Sequence, residues 1–292
     1  MQRYLTARTV AGFHYRRVTR LQPDPTAHAI AAVLGEPETA ARHIARASYV
    51  QNRSFDADYD WLAKASASEA ARRLHDIRFE RADELRNALL HRRQPLIVAV
   101  LHMGHYVTAL LRLLTHVPQL SELAVIKRAA HSTREDAAYR HLAPSIRLQI
   151  LRLDQRPLRP ALTLLRRGGA LVTMIDVPPT FGTLKTQPTQ WFGHPGHLPI
   201  GPATIAVTAG ALVLPISTWP AGTSDALECA AFIDARLRDG ECRAQAITRV
   251  HDTLAAQCAA WIRAHPGQWM LWSHIGAFFA PPTTAIEDQS AQ

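Results

Sequence analysis

The residues of this chain with the clearest chemical potential lie where its segments change character. Residues 95–101 form an apolar run suited to a buried strand, and it leads straight into His102-Met103-Gly104-His105-Tyr106. Imidazole exchanges a proton near neutral pH, so a histidine at the carboxyl end of a strand is a candidate general base, drawing a proton from a hydroxyl or amine. His102 holds that place, and Gly104 permits a tight turn or close substrate approach. A structural histidine at a helix start is an equally good reading from these residues alone. His105, on the same turn, is a second-layer or acceptor-binding candidate. A two-histidine metal site needs further ligands, and no HExxH-type spacing supplies them, so no metal is expected.

A second group follows residues 170–175, another buried apolar run, which ends at Asp176. Pro178, Pro179 and Gly182 then read as a loop. It is followed by Gln190-Trp191-Phe192-Gly193-His194-Pro195-Gly196-His197, read as a Gly/Pro turn, and by a helix opened at Gly201-Pro202. Free N–H groups around such a loop and helix start could hold an anion, or the oxyanion of an acyl transfer, which makes Gly193 and Gly201 candidates. Lys127, Arg128 and Arg134, after the second apolar strand, could hold a phosphate or a phosphopantetheine arm; a solvated helix face explains them as well.

The elements that must position these groups are legible in outline. Residues 1–94 read as helical, with Ser66 or Ser68 a possible cap. From residue 95 onward, strands at 95–101, 123–126, 146–151, 170–175, 211–216 and 227–233 alternate with helices at 107–114, 133–142, 160–167 and 201–209. A long helix over 241–264 and a short one from Pro266 close the chain. This pattern predicts an α/β fold: a mixed, largely parallel sheet flanked by helices, with a helical N-terminal lead-in and a frayed tail at 281–292, in one domain.

Bulk properties set the remaining bounds. The net charge is +9, carried by 33 Lys and Arg, of which only three are lysine. Such a surface attracts acidic partners, although no nucleic-acid motif is present and none is expected to bind. Cys229, Cys242 and Cys258 have neither zinc nor redox spacing and read as buried thiols. No run approaches the ~20 apolar residues of a membrane span. Residues 1–20 carry five arginines and no acid at helical apolar spacing, which suits an ordinary surface helix or one lying on anionic lipid.

Taken in order, three segments resemble the bacterial lipid A biosynthesis (lauroyl/myristoyl) acyltransferases of the lysophospholipid acyltransferase superfamily. His102-Met103-Gly104-His105-Tyr106-Val107 stands for that family's His-x-Gly-Asn-Trp-Glu. Asp176-Val177 stands for its Asp-Gln, and Trp191-Phe192-Gly193-His194-Pro195 before Gly201-Pro202 for its Phe-Phe-Gly-x-Pro and Gly-Pro helix. Pro266-Gly267-Gln268-Trp269 and Trp272 match the closing segment. The resemblance implies a glycerolipid acyltransferase-like fold and transfer of an acyl group from a carrier-protein or CoA thioester to a hydroxyl or amine. His102 would be the base. The acyl thioester would be the co-substrate, with no other cofactor, and acyl carrier protein the partner. The implied place is the cytoplasm, in peripheral contact with the anionic face of the inner membrane. Two departures stand out: Val107 replaces the acid expected to orient the histidine, and His105 replaces an asparagine. Asp176 or His105 could take over the orienting role, the acceptor could be an easier nucleophile such as an amine, or the domain could bind acyl groups without turnover. A soluble specialised-metabolite acyltransferase and a non-catalytic acyl- or carrier-binding homologue are the alternatives to lipid A-type acylation.

Overall fold

The computed structural model describes residues 25–91, 94–116, 122–127, 146–155, 157–182, 184–221 and 224–279. The predicted helix at 133–142, the basic segment at 1–20 and the tail after 280 lie outside them. The lead-in contains α1 (Pro25–Leu34), α2 (Glu38–Leu62), α3 (Ala67–His75) and α4 (Ala82–Leu90). Ser66 caps α3 in a reciprocal box with Glu69: each side chain satisfies the other residue's backbone N–H.

The core follows the predicted alternation: β1 (Leu96–Val100), α5 (Tyr106–His116), β2 (Glu122–Lys127), β3 (Arg147–Arg152), α6 (Leu158–Arg166) and β4 (Ala170–Met174). Next come β5 (Thr186–Trp191), β6 (His194–Pro199), α7 (Gly201–Ala209), β7 (Leu212–Ala221), β8 (Ser224–Cys229), β9 (Ile233–Asp234) and α8 (Arg243–Ala264), and 3-10 segments at Pro266–Gln268 and Trp272–Phe278 close the described chain. The main sheet has the order β3-β2-β4-β1-β7-β8, with β9 also on β7. β3, β2, β4, β1 and β7 are parallel, and β8 and β9 are antiparallel to β7.

All five residues of β1 are buried, as a central parallel strand with both faces covered requires. Ile97 and Ala99 face a cluster that includes α6, α7 and α8, while Leu96, Val98 and Val100 face one that includes α3, α4 and α5. The edge strand β3 alternates in exposure instead.

The segment read as a Gly/Pro turn is an antiparallel hairpin, β5–β6. Its proline and glycine content hid the strands, although a two-stranded ribbon tolerates Pro at edge positions. Its two-residue turn is Phe192-Gly193, both with positive φ (53° and 77°), the geometry that matches strand twist. Phe192 is the one non-glycine residue with positive φ among those described. That conformation costs about 1–2 kcal/mol, offset by burying its ring against Trp191, Trp269 and Trp272.

Candidate active site

The pairing of β1 with β4 builds the centre of the site. Their parallel register runs from Leu96↔Ala170 to Val100↔Met174, and the same offset of 74 continues past the strand ends to bring His102 against Asp176. The His102 Nδ1 to Asp176 Oδ1 distance is 2.8 Å, and the backbone N–H of His102 donates to Oδ2 at 2.9 Å. The Trp269 indole N–H donates to the same Oδ2 at 2.8 Å. Asp176 is 0% exposed, so these donors take the place of water around its carboxylate. A carboxylate can only accept, so in the neutral imidazole that faces it Nδ1 carries the proton and Nε2 keeps its lone pair.

The loop that carries the histidine is clamped from behind. Met270 N–H donates to His102 O, and Gly104 N–H donates to Gln268 O. The clamping segment is tied in turn to α2, where Ser48 Oγ donates to Trp269 O at 2.6 Å and Asn52 Nδ2 to Met270 O at 3.0 Å. Gly104 has φ +55°, and a Cβ there would lie 2.2 Å from the carbonyl oxygen of Thr218. No residue with a side chain fits.

His102 opens onto a cleft of about 430 Å³ at this carboxyl edge of the sheet. Tyr106 packs its ring edge-on to the His102 ring, with centroids 5.9 Å apart. The walls are mostly apolar, with Val125, Val172, Val177, Phe181, Leu158 and Ile205 among them, and Lys127, Lys185 and Gly201 also line it. Such a slot, with a proton acceptor at one wall, can hold an aliphatic chain and deprotonate a nucleophile beside it.

Of the residues singled out in the sequence, His102, Asp176, Lys127 and Gly201 are brought to this cleft or directly behind it. Gly193 is not: it occupies the turn of the β5–β6 hairpin, near Arg263. Arg128 and Arg134 lie outside the described residues. His105 turns away from the cleft. It is 5% exposed, and its Nδ1 lies 3.0 Å from Asp225 Oδ2 on β8. Burial pulls its pKa down, but the hydrogen bond to Asp225 and the charges of Asp58 and Asp225 outweigh this, so the net shift is upward. Asp58 is paired with Arg73, whose guanidinium covers the Trp61 ring. The His105 cluster therefore joins the helical lead-in to the sheet.

Val107 is buried in the apolar cluster under α5. An acid at that position would face the core, so the carboxylate that meets the histidine comes from β4. Trp269, which the sequence marks only as part of the closing Pro-Gly-Gln-Trp segment, is the donor to Asp176 that residue types alone do not assign. Cys229 and Cys258 are buried, and burial raises the Cys229 pKa to about 12. Cys242, expected to be buried, is exposed at the start of α8. No helix among the described residues is long and apolar enough to cross a membrane.

Comparison with known proteins agrees with this architecture. Phosphatidylinositol mannoside acyltransferases from Mycobacterium tuberculosis strains CDC 1551 / Oshkosh and ATCC 25618 / H37Rv are each 32% identical to this chain over 80 residues. The matched stretch is 27% of this chain and only 23% of each relative. The family model described as bacterial lipid A biosynthesis acyltransferase matches residues 6–274. That match takes in the β1 turn, the end of β4, the hairpin and the Trp269 clamp, and the chain belongs to the bacterial lipid A biosynthesis acyltransferase family.

Proposed function

We propose that this chain transfers an acyl group from a thioester to a hydroxyl or amine on a lipid acceptor, with His102 as general base and Asp176 as its orienting residue. The observation that carries the reading is the 2.8 Å contact between the His102 ring and a fully buried carboxylate, at the wall of an apolar cleft. In this reading Nε2 takes the proton as the acceptor oxygen or nitrogen attacks the thioester carbonyl. The tetrahedral adduct then collapses, the C–S bond breaks, and the leaving thiolate recovers the proton from the imidazolium. The products are an ester or amide and a free thiol. The N–H groups at the start of α7, where Gly201 lines the cleft, would receive the negative oxygen of the adduct. Lys127, with Arg128 and Arg134, would hold phosphate on the incoming molecules.

Acyl carrier protein is the donor we favour, and a membrane glycolipid the acceptor. Work on the full chain would take place at the cytoplasmic membrane face, with the acyl thioester as the only co-substrate. The test is acyl transfer from lauroyl-carrier protein and lauroyl-CoA to phosphoglycolipid acceptors, followed by mass spectrometry of the product and release of free thiol. His102→Ala should lose on the order of 10²–10⁴-fold in rate. Turnover equal to that of the unaltered chain would end this assignment.

A further inference from the structure

Helix α6 serves two surfaces. Its first residue, Leu158, lines the cleft, and the rest of the helix walls a separate groove of about 440 Å³ on the flank of the sheet. The facing wall is Glu122 of β2 with Arg147 and Gln149 of β3. The helix buries Ala161, Leu164 and Leu165 against the sheet, so Arg159, Thr163 and Arg167, each four residues apart, stand on its open side. They span about 12 Å along the helix axis.

The groove holds the guanidiniums of Arg147, Arg159 and Arg167 against one carboxylate. Arg147 already uses that carboxylate, donating to Glu122 at 2.9 Å. No described residue forms an ion pair with Arg159 or Arg167. Arg167 has a local reason to be basic, because a cation at a helix C-terminus complements the dipole. Arg159 has none. It sits in the first turn, where the dipole disfavours a cation, and α6 contains no acid to offset it. The helix gains nothing from that charge, so what the charge can serve lies outside the chain. Beside it, Leu158 is 44% exposed at the mouth of the cleft. An apolar anchor flanked by unpaired charge is the pattern of a protein interface. A flat bilayer would not enter a groove between a helix and a sheet edge, whereas a row of acidic side chains on a protein would.

We infer that the α6 groove is a docking surface for an acidic protein, and that this partner is the carrier that brings the acyl thioester to the cleft. The groove begins one residue from Leu158 on the cleft wall, so a carrier seated there holds its thioester arm at the entrance to His102. The identity of the partner rests on the acyl-transfer reading; the binding test does not.

The test compares the full-length protein with Arg159→Glu, Arg167→Gln, the double variant and Arg159→Lys. Arg86→Glu on α4, which packs on the opposite face of the sheet, is the control. Binding of lauroyl-carrier protein is measured by calorimetry at low and at physiological salt. Arg159→Glu should weaken it on the order of tenfold, with a smaller loss at the higher salt, and the double variant should weaken it further. Arg159→Lys and Arg86→Glu should bind as the unaltered chain does. Unfolding is not a rival explanation, because a glutamate in the first turn of α6 suits the dipole and should leave the melting temperature unchanged or higher. Lauroyl-CoA brings no protein, so its KM and kcat should not move. No carrier binding by the unaltered chain, or equal binding by Arg159→Glu, overturns the inference. So does an equal loss with lauroyl-CoA, which would place Arg159 in the cleft, or a loss of binding to phosphatidylglycerol vesicles with carrier binding intact, which would make the groove a membrane contact. His102→Ala separates the two readings: it should lose turnover and still bind the carrier. Turnover kept in His102→Ala beside Arg159-dependent binding would sink the catalytic reading and keep the docking surface. Turnover lost with no Arg159 effect would do the reverse.

Discussion

Replacing Asp176 by asparagine changes one atom and isolates what the carboxylate does for His102. Two of the donors that meet the carboxylate are fixed, the His102 backbone N–H at 2.9 Å and the Trp269 indole N–H at 2.8 Å, and both address Oδ2. An asparagine must therefore turn its carbonyl toward them, which presents its NH₂ to His102 Nδ1, now 2.8 Å from Oδ1. The amide donates, Nδ1 becomes the acceptor, and the ring proton moves to Nε2, the nitrogen that has to take a proton from the acceptor. The analogous change in a hydrolase triad lowers kcat about 10⁴-fold through the same tautomer reversal. A loss of about 10³–10⁴ is expected here, or about 4–5.5 kcal/mol of transition-state stabilisation. The fold should survive, because all three contacts persist as neutral hydrogen bonds and lose only about 1–2 kcal/mol each. Asp176→Ala is less informative, since it leaves buried N–H groups without an acceptor. The assays are kcat for acyl transfer and the ¹⁵N shifts of the His102 ring, which report the tautomer directly. A reversed tautomer with kcat within tenfold of the unaltered chain would refute the assignment of Nε2 as base.

Placing the family acid back at Val107 should not help: Val107→Glu buries a lone charge in the α5 cluster, and a stability loss of about 3 kcal/mol or more is expected by urea melting, with no gain in turnover. Gly104→Ala would put a Cβ 2.2 Å from Thr218 O at a positive φ. Thermal unfolding should show a destabilised chain whose transfer activity falls with the displaced His102 loop. Trp269→Phe removes a donor from Asp176, and a loss of about 1.5–3 kcal/mol from that bond is expected in urea, with a lower kcat. The His105 pKa is raised in the fold by Asp225 and Asp58 against its burial, so its stabilising charge is fully present below the unfolded value near 6.5. Stability should therefore decline as pH rises through the folded pKa, and His105→Gln should flatten that part of the urea-midpoint profile.

The sequence made the strand–helix alternation legible because parallel strands buried on both faces are continuous apolar runs, and β1 and β4 are both of that kind. It also placed His102 and Asp176 at strand ends. It could not show that these ends are neighbours, because adjacency depends on strand order, and β4 lies between β2 and β1 only in three dimensions. The hairpin escaped notice because prolines at 188, 195 and 199 are poor strand signals, and because its turn uses a buried aromatic at positive φ where Asn-Gly would be expected. His105 meets Asp225 on β8, a partner distant in sequence that residue spacing does not announce.

The same geometry explains how the histidine can be oriented without an acid five residues later. An acid on α5 would have to reach back over the Gly104 turn, whereas the β1–β4 ladder already sets a residue opposite His102 at strand spacing. Once that residue is a buried carboxylate, its oxygens need protein donors in place of water. The donors come from the histidine's own backbone and from the indole of Trp269, a residue far along the chain. Trp269 can reach Asp176 because residues 268–270 run against the His102 loop and are fastened to α2 by Ser48 and Asn52. The helical lead-in, the sheet and the closing segment thus converge on one carboxylate. All of these residues, from Ser48 to Met270, lie within the family match over residues 6–274.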